Sequence, residues 1–161
     1  MNEIEIRRLI IEIQDELSEL AKGKAVLDEA QAQFAERIPN PLELSGIALH
    51  LHDFYNGVEN LFRRVALGLG EGLPTGSDWH SRLLKNMALP IPQVRPRVIA
   101  EETQRQLEEF VRFRHLVRHT YGHDLKWGEV RDRLNSLGSA YAHFVENVEE
   151  FLSFLEAMAE G

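Results

Sequence analysis

Between Val111 and His123 the chain reads VRFRHLVRHTYGH, which packs Arg112, Arg114 and Arg118 together with His115, His119 and His123 into thirteen residues. Guanidinium groups bind phosphate oxygens through paired, charge-assisted hydrogen bonds, and imidazole gains and loses a proton near neutral pH. The segment therefore has the groups to hold a phosphodiester and to move protons beside it. The competing reading is a solvated basic helix end, where the helix dipole favours cations without any ligand.

Helical periodicity makes one of these residues conspicuous. A seam of Leu107, Phe110, Arg114, Val117 and Tyr121 places an arginine where an apolar side chain is expected. Burying an unpaired guanidinium is costly, so Arg114 must meet an acid from a facing helix or open onto a cleft. Glu59 is the expected partner. It lies one helical step after Tyr55, so both share a face beside the apolar stripe of the second helix. A satisfied core ion pair with no further role is the plainer alternative. His119 follows Arg114 by five residues, about 140° around a regular helix, so the two do not face one point. Either the helix loosens before Gly122 and swings His119 round, or two copies share the site across a two-fold axis.

The elements that must position this segment are helical. Ile4 to Arg37 carries Ile6, Ile10, Ile13, Leu17, Leu20, Leu27, Phe34 and Ile38 at steps of three and four, until Pro39-Asn40-Pro41 stops it. A second helix begins near Leu42 with the stripe Leu44, Ile47, Leu51, Phe54, Val58, Leu61, Val65 and Leu69. Glycines 68, 70, 72 and 76 with Pro74 then break the pattern, and Ser77 or Asp78 caps a short helix from Trp79 to Met87. Leu89 to Pro96 is too rich in proline for a helix and reads as an extended linker. The third long helix runs from about Arg97 to Tyr121, with Gly122 as a left-handed cap, and the fourth from Trp127 to Ala159. No stretch alternates with period two. The expectation is an all-α fold, an antiparallel bundle of four long helices plus a short one between the second and third.

Composition sets the frame. The 161 residues, 43% hydrophobic and 27% charged, suit one packed domain. Eighteen Lys and Arg against 26 Asp and Glu give a net charge of −8, so a polyanion site must be local rather than a property of the whole surface. The absence of cysteine excludes disulfides, thiolate metal sites and a cysteine nucleophile. No apolar run approaches the roughly 18 residues of a membrane span, and a cytoplasmic location without membrane contact is expected.

Other constellations are weaker. His115, His119 and His123 have the i, i+4, i+8 spacing of metal ligands, but no HExxH glutamate accompanies them and Gly122 interrupts the run, so no metal site is assigned. His50, His52 and Asp53 form a second cluster whose two histidines fall on different helical faces, which favours a structural role. Gly68 to Gly72 follows a helix and lacks the Gly-Lys-Ser/Thr ending of a phosphate loop, and no Gly-x-Ser-x-Gly elbow exists for acyl transfer.

Arg114, four residues, His119, one residue and Tyr121 match the R-x4-H-x-Y signature of HepT-like ribonuclease toxins of the HEPN superfamily. The neighbouring RFRHLVRHTYGHDLKW, HDFYNGVENLFRRVA and GSDWHSRLLKNMA segments resemble one HepT-like branch over nearly the whole chain. The resemblance implies an endoribonuclease that needs no metal or other cofactor and acts as a homodimer with both motifs in one cleft. Arg114 and His119 carry over as catalytic positions, with Glu59, Arg118 and Tyr55 as supporting residues from the reading above. A ribose 2′-hydroxyl would attack the adjacent phosphate, which makes RNA the substrate. The resemblance further implies an MntA-type nucleotidyltransferase antitoxin that adds AMP to the motif tyrosine, here Tyr121. Arg118 and His123 repeat the R-x4-H spacing but have Leu125 in place of the tyrosine, so the Arg114 frame ranks first. The alternative of a different class is a noncatalytic helical module that binds a nucleotidyltransferase or a nucleotide.

Overall fold

The computed structural model describes residues 1–161 and contains five α-helices and no strand. Helix α1 spans Glu3–Gln33, α2 Pro41–Gly68, α3 Trp79–Met87, α4 Glu101–Arg118 and α5 Trp127–Glu160; a single 3₁₀ turn, Gly122–Asp124, links α4 to α5. Two helix starts are written in the sequence as reciprocal caps. Asn2 with Glu5 opens α1, and Asn40 with Glu43 opens α2, where Pro41 occupies the first turn at no cost in hydrogen bonds.

Contacts along the helices show how they run. Leu20 meets Gly57, and Leu9 meets Gly68, so α1 and α2 are antiparallel. Gln31 bonds Asn135, and Lys24 lies over the Tyr141 ring, which makes α5 antiparallel to α1 as well. Thr103 bonds Asn147 while Glu109 pairs with Arg133, so α4 runs against α5. The core between them is one continuous cluster that includes Ile13, Leu51, Phe62, Leu107, Phe110, Phe144 and Phe151. Edge-to-face rings tie the layers together, Phe54 to Phe110 at 5.2 Å and Phe62 to Phe144 at 5.8 Å between centroids. No helix is long and apolar enough to cross a membrane.

Several expected boundaries shift. Helix α1 ends at Gln33 rather than Arg37, because the chain turns at Phe34, whose ring packs on Trp127 and is covered by the Arg37 guanidinium. Ile38, read as the end of the apolar stripe, is consequently exposed. Helix α4 is shorter at both ends than the span from Arg97 to Tyr121. Gly122 does not take a left-handed conformation; it opens the 3₁₀ turn, and a Cβ there would meet Ser45 Oγ at 3.1 Å. Asp78 precedes α3 without a side-chain cap bond.

The proline-rich linker is more structured than its composition suggests. Ile91 and Arg95 form an antiparallel bridge around Gln93, whose φ of 67° makes the reversal. Arg95 is buried, with Nε and Nη2 on the two carboxylate oxygens of Glu71 at 2.7 and 2.8 Å and the remaining donors on the carbonyls of Leu89, Pro96 and Asn86. One guanidinium thus closes the loop before α3 and the loop after it onto each other.

Candidate functional site

The basic segment occupies the end of α4. Regular helix stops at Arg118; His119 closes it with its N–H on the Leu116 carbonyl, and Tyr121 is extended. His115 and Arg118 stand in the last turn, where the helix dipole favours cations. The chain then folds back so that the 3₁₀ turn rests on α2 near Ser45. The loosening expected before Gly122 is present, but it does not deliver His119 to Arg114. The His119 ring lies on that of His115, with centroids 4.3 Å apart. Tyr121 is correspondingly not on the helical face of Arg114: it is 76% exposed, and its ring stacks parallel on His123 at 5.5 Å.

Arg114 turns inward, toward α2. It is half-buried and forms no ion pair; its Nε–H donates to Oδ1 of Asn56 at 3.3 Å. Glu59 is therefore not its partner. The Glu59 carboxylate, 6% exposed, is held instead by Nδ1 of His80 from α3 at 2.6 Å. The group that meets Arg114 is a neutral amide one turn earlier on α2. His80 in turn packs against Trp79, over which Arg63 sits at 5.7 Å.

Between these two anchors lies Tyr55, almost fully buried, with its hydroxyl unbonded. Burial pushes its pKa up, the charges of Glu59 and Glu108 push in the same direction, and Arg114 pulls against them. Tyr55 thus remains a neutral phenol beside Arg114. On the other side of Asn56, its amide meets Nδ1 of His52 at 3.1 Å. Burial lowers the His52 pKa, and the neighbouring charge of Arg114 and the weaker influence of Arg118 act in the same sense, against Asp53. Its Nε2 is buried without a partner.

The structure therefore gathers Arg114, Asn56, His52 and Tyr55 on one wall between α2 and α4. Glu59 stands one turn farther along α2, held by His80 from α3, and His115, Arg118, His119 and Tyr121 lie on the exposed rim. Neither Asn56 nor a site role for His52, which the sequence favours as structural, was anticipated, nor was His80. A signal existed for the first two: His52, Asn56 and Glu59 recur at i, i+4 and i+7, a polar row along an otherwise apolar face. His115, His119 and His123 do not come together as a metal-binding group of three.

In this all-helical chain a basic helix end, carrying Arg114 without an acid partner, closes on a polar row of its neighbour. A family model described as HepT-like protein matches residues 46–155, which include every residue of this wall and rim. The chain belongs to the HepT-like family, within the HEPN superfamily. No curated protein and no solved structure matches it.

Proposed function

We propose that the protein is a HEPN-type toxin that cleaves RNA, using Arg114 and His119 in a cleft formed by two copies of the chain. The observation that carries this reading is the state of Arg114. It is tied to a neutral amide rather than a carboxylate, so its charge is left for a phosphate. In the reaction the 2′-oxygen attacks the adjacent phosphorus and loses its proton to a base. The bond from phosphorus to the 5′-oxygen then breaks, and the departing oxygen takes up a proton. His119, exposed on the rim with its ring against His115, is the proton-transfer group, and Arg114 stabilises the charge that grows on the phosphorane oxygens. Arg118 on the rim extends the cationic surface toward the flanking phosphates, and Tyr55, buried behind the site, supports Arg114 from the core side.

Because His119 and Arg114 have different neighbours within one copy, the proposal includes a homodimer in which the motifs approach across a two-fold axis. It includes silencing as well. A cognate MntA-type nucleotidyltransferase would place AMP on Tyr121, whose hydroxyl is on the exposed rim, and the added phosphate would compete for the same cations.

The test is cleavage of RNA by protein purified free of any nucleotidyltransferase and unmodified at Tyr121. Expected are products ending in a 2′,3′-cyclic phosphate and a 5′-hydroxyl, no reaction with a 2′-deoxy strand, and loss of cleavage in Arg114→Ala and His119→Ala. The separation of His119 from Arg114 favours one other reading, a noncatalytic module that binds a nucleotidyltransferase or a nucleotide. Tight binding of such a partner, with RNA left intact and His119→Ala without effect, would decide for it.

A further inference from the structure

The wall behind Arg114 contains a chain of hydrogen bonds whose direction is fixed by chemistry. A guanidinium N–H only donates, so the oxygen of the Asn56 amide must be the atom facing Arg114 Nε. The amide is planar, and its NH₂ end then points at His52 Nδ1, 3.1 Å away. A donor at that position needs a lone pair on Nδ1, which puts the imidazole proton on Nε2. That nitrogen is buried and has no partner, so nothing on the far side of the ring selects the tautomer; the contact with Asn56 does.

We propose that His52 is a positioning residue for Arg114, acting through the Asn56 amide, and that it holds Arg114 only as the neutral tautomer protonated on Nε2. The structural part of this inference stands by itself, and its consequence for turnover rests on the RNA-cleaving reading above. Protonation of His52 on Nδ1 would set two N–H groups against each other. The amide would have to turn over, its NH₂ would then oppose the Arg114 N–H, and the guanidinium would be released from the wall. The two arrangements are discrete, and the neighbourhood is biased toward the first. Arg114 and Arg118 from α4 oppose a charge on His52, as does burial, while on its own helix only Asp53, with Oδ1 at 3.9 Å, favours one.

Full-length protein labelled with ¹⁵N at histidine tests this directly. At neutral pH the His52 resonances should be those of the Nε2-protonated neutral ring. In Asn56→Asp, which has nearly the same shape, the carboxylate cannot donate and should instead draw a proton onto His52, raising its pKa by about 1 to 3 units. On the activity side, His52→Leu should lower kcat by about 10- to 100-fold, the cost of a misplaced catalytic group, with little change in KM. His52→Asn, which offers an acceptor near the place of Nδ1, should recover most of that loss, and the acid limb of the kcat profile should move to higher pH in Asn56→Asp. A ring protonated on Nδ1 at neutral pH, or a His52 titration unmoved in Asn56→Asp, would overturn the relay. If the wild type fails to cleave RNA, the proposed function falls, and the NMR experiment still decides the relay.

Discussion

Arg114 and His119 belong to one five-residue step of sequence yet engage opposite sides of the α4 end: Arg114 bonds Asn56 on α2, and His119 lies on His115 at the exposed rim. The cause is local. Regular helix carries Arg114 toward the core side of α4 and returns Arg118 to that face one turn on, whereas His119 stands at the cap where the helix ends. That divergence leaves Arg114 on the wall and His119 open to solvent.

A mixing experiment follows from that divergence. Arg114→Ala and His119→Ala should each lower RNA cleavage by about 10² to 10⁴-fold, the range of a lost proton-transfer or charge-stabilising group. If each cleft takes Arg114 from one copy and His119 from the other, a mixed dimer of the two variants has one cleft intact. Refolding them together should then restore cleavage that neither shows alone. No recovery, with mixed dimers demonstrated by mass spectrometry, would place both groups of a cleft on the same chain.

The helices and their apolar faces were legible because packing imposes a period of 3.6 on the sequence, and the span of α3 was read to the residue. The end of α4 was less so. Its seam continues to Tyr121 in sequence, whereas the contact of the 3₁₀ turn with Ser45 bends the chain away after Arg118. The partner of Arg114 was missed for another reason. Charge complementarity pointed to Glu59, but α3 supplies His80 to that carboxylate, and a contact between residues 21 positions apart across a glycine-rich loop has no periodic signature. Arg95 was hidden in the same way, since proline-dense sequence says nothing about which side chain the loop closes over.

Arg95 yields a stability prediction. Its side chain is fully buried against Glu71, which is itself only 12% exposed. Arg95→Met should destabilise by about 3 to 5 kcal/mol, because it leaves Glu71 and three carbonyls without their donor. Arg95→Lys should recover little of this, as an ammonium lacks the fork that reaches both carboxylate oxygens and the carbonyls together. Urea unfolding midpoints read both. Near-wild-type stability in Arg95→Lys would show that charge alone suffices.

The neutral state of His52 makes folding sensitive to acid. Its pKa in the folded chain lies below the ordinary value of 6.5, so the unfolded chain binds the proton more readily. The stability this group contributes is complete above that ordinary value and is lost as pH falls below it. Unfolding midpoints at about pH 7.5 and about pH 5.5 should therefore differ more in the wild type than in His52→Asn, which has nothing to titrate there. An equal change in both proteins would assign the acid sensitivity to other groups.

Tyr121 provides the test of the switch. The tyrosine is neither packed in the core nor within the regular helix; it stands on the rim with its ring against His123, and its hydroxyl is free to meet an incoming nucleotide. Incubation with a cognate nucleotidyltransferase and ATP should add the mass of AMP to the wild type and nothing to Tyr121→Phe. Cleavage by the wild type should fall in step with that mass. The Phe variant should remain active throughout, since the ring stack survives and only the acceptor oxygen is lost. Because the adduct carries a phosphate, it should be seated by the nearby cations, and Arg118→Ala should weaken silencing at a given degree of modification. Modification found at another residue, or equal loss of activity in Tyr121→Phe, would remove Tyr121 from the mechanism while leaving the roles of Arg114 and His119 intact.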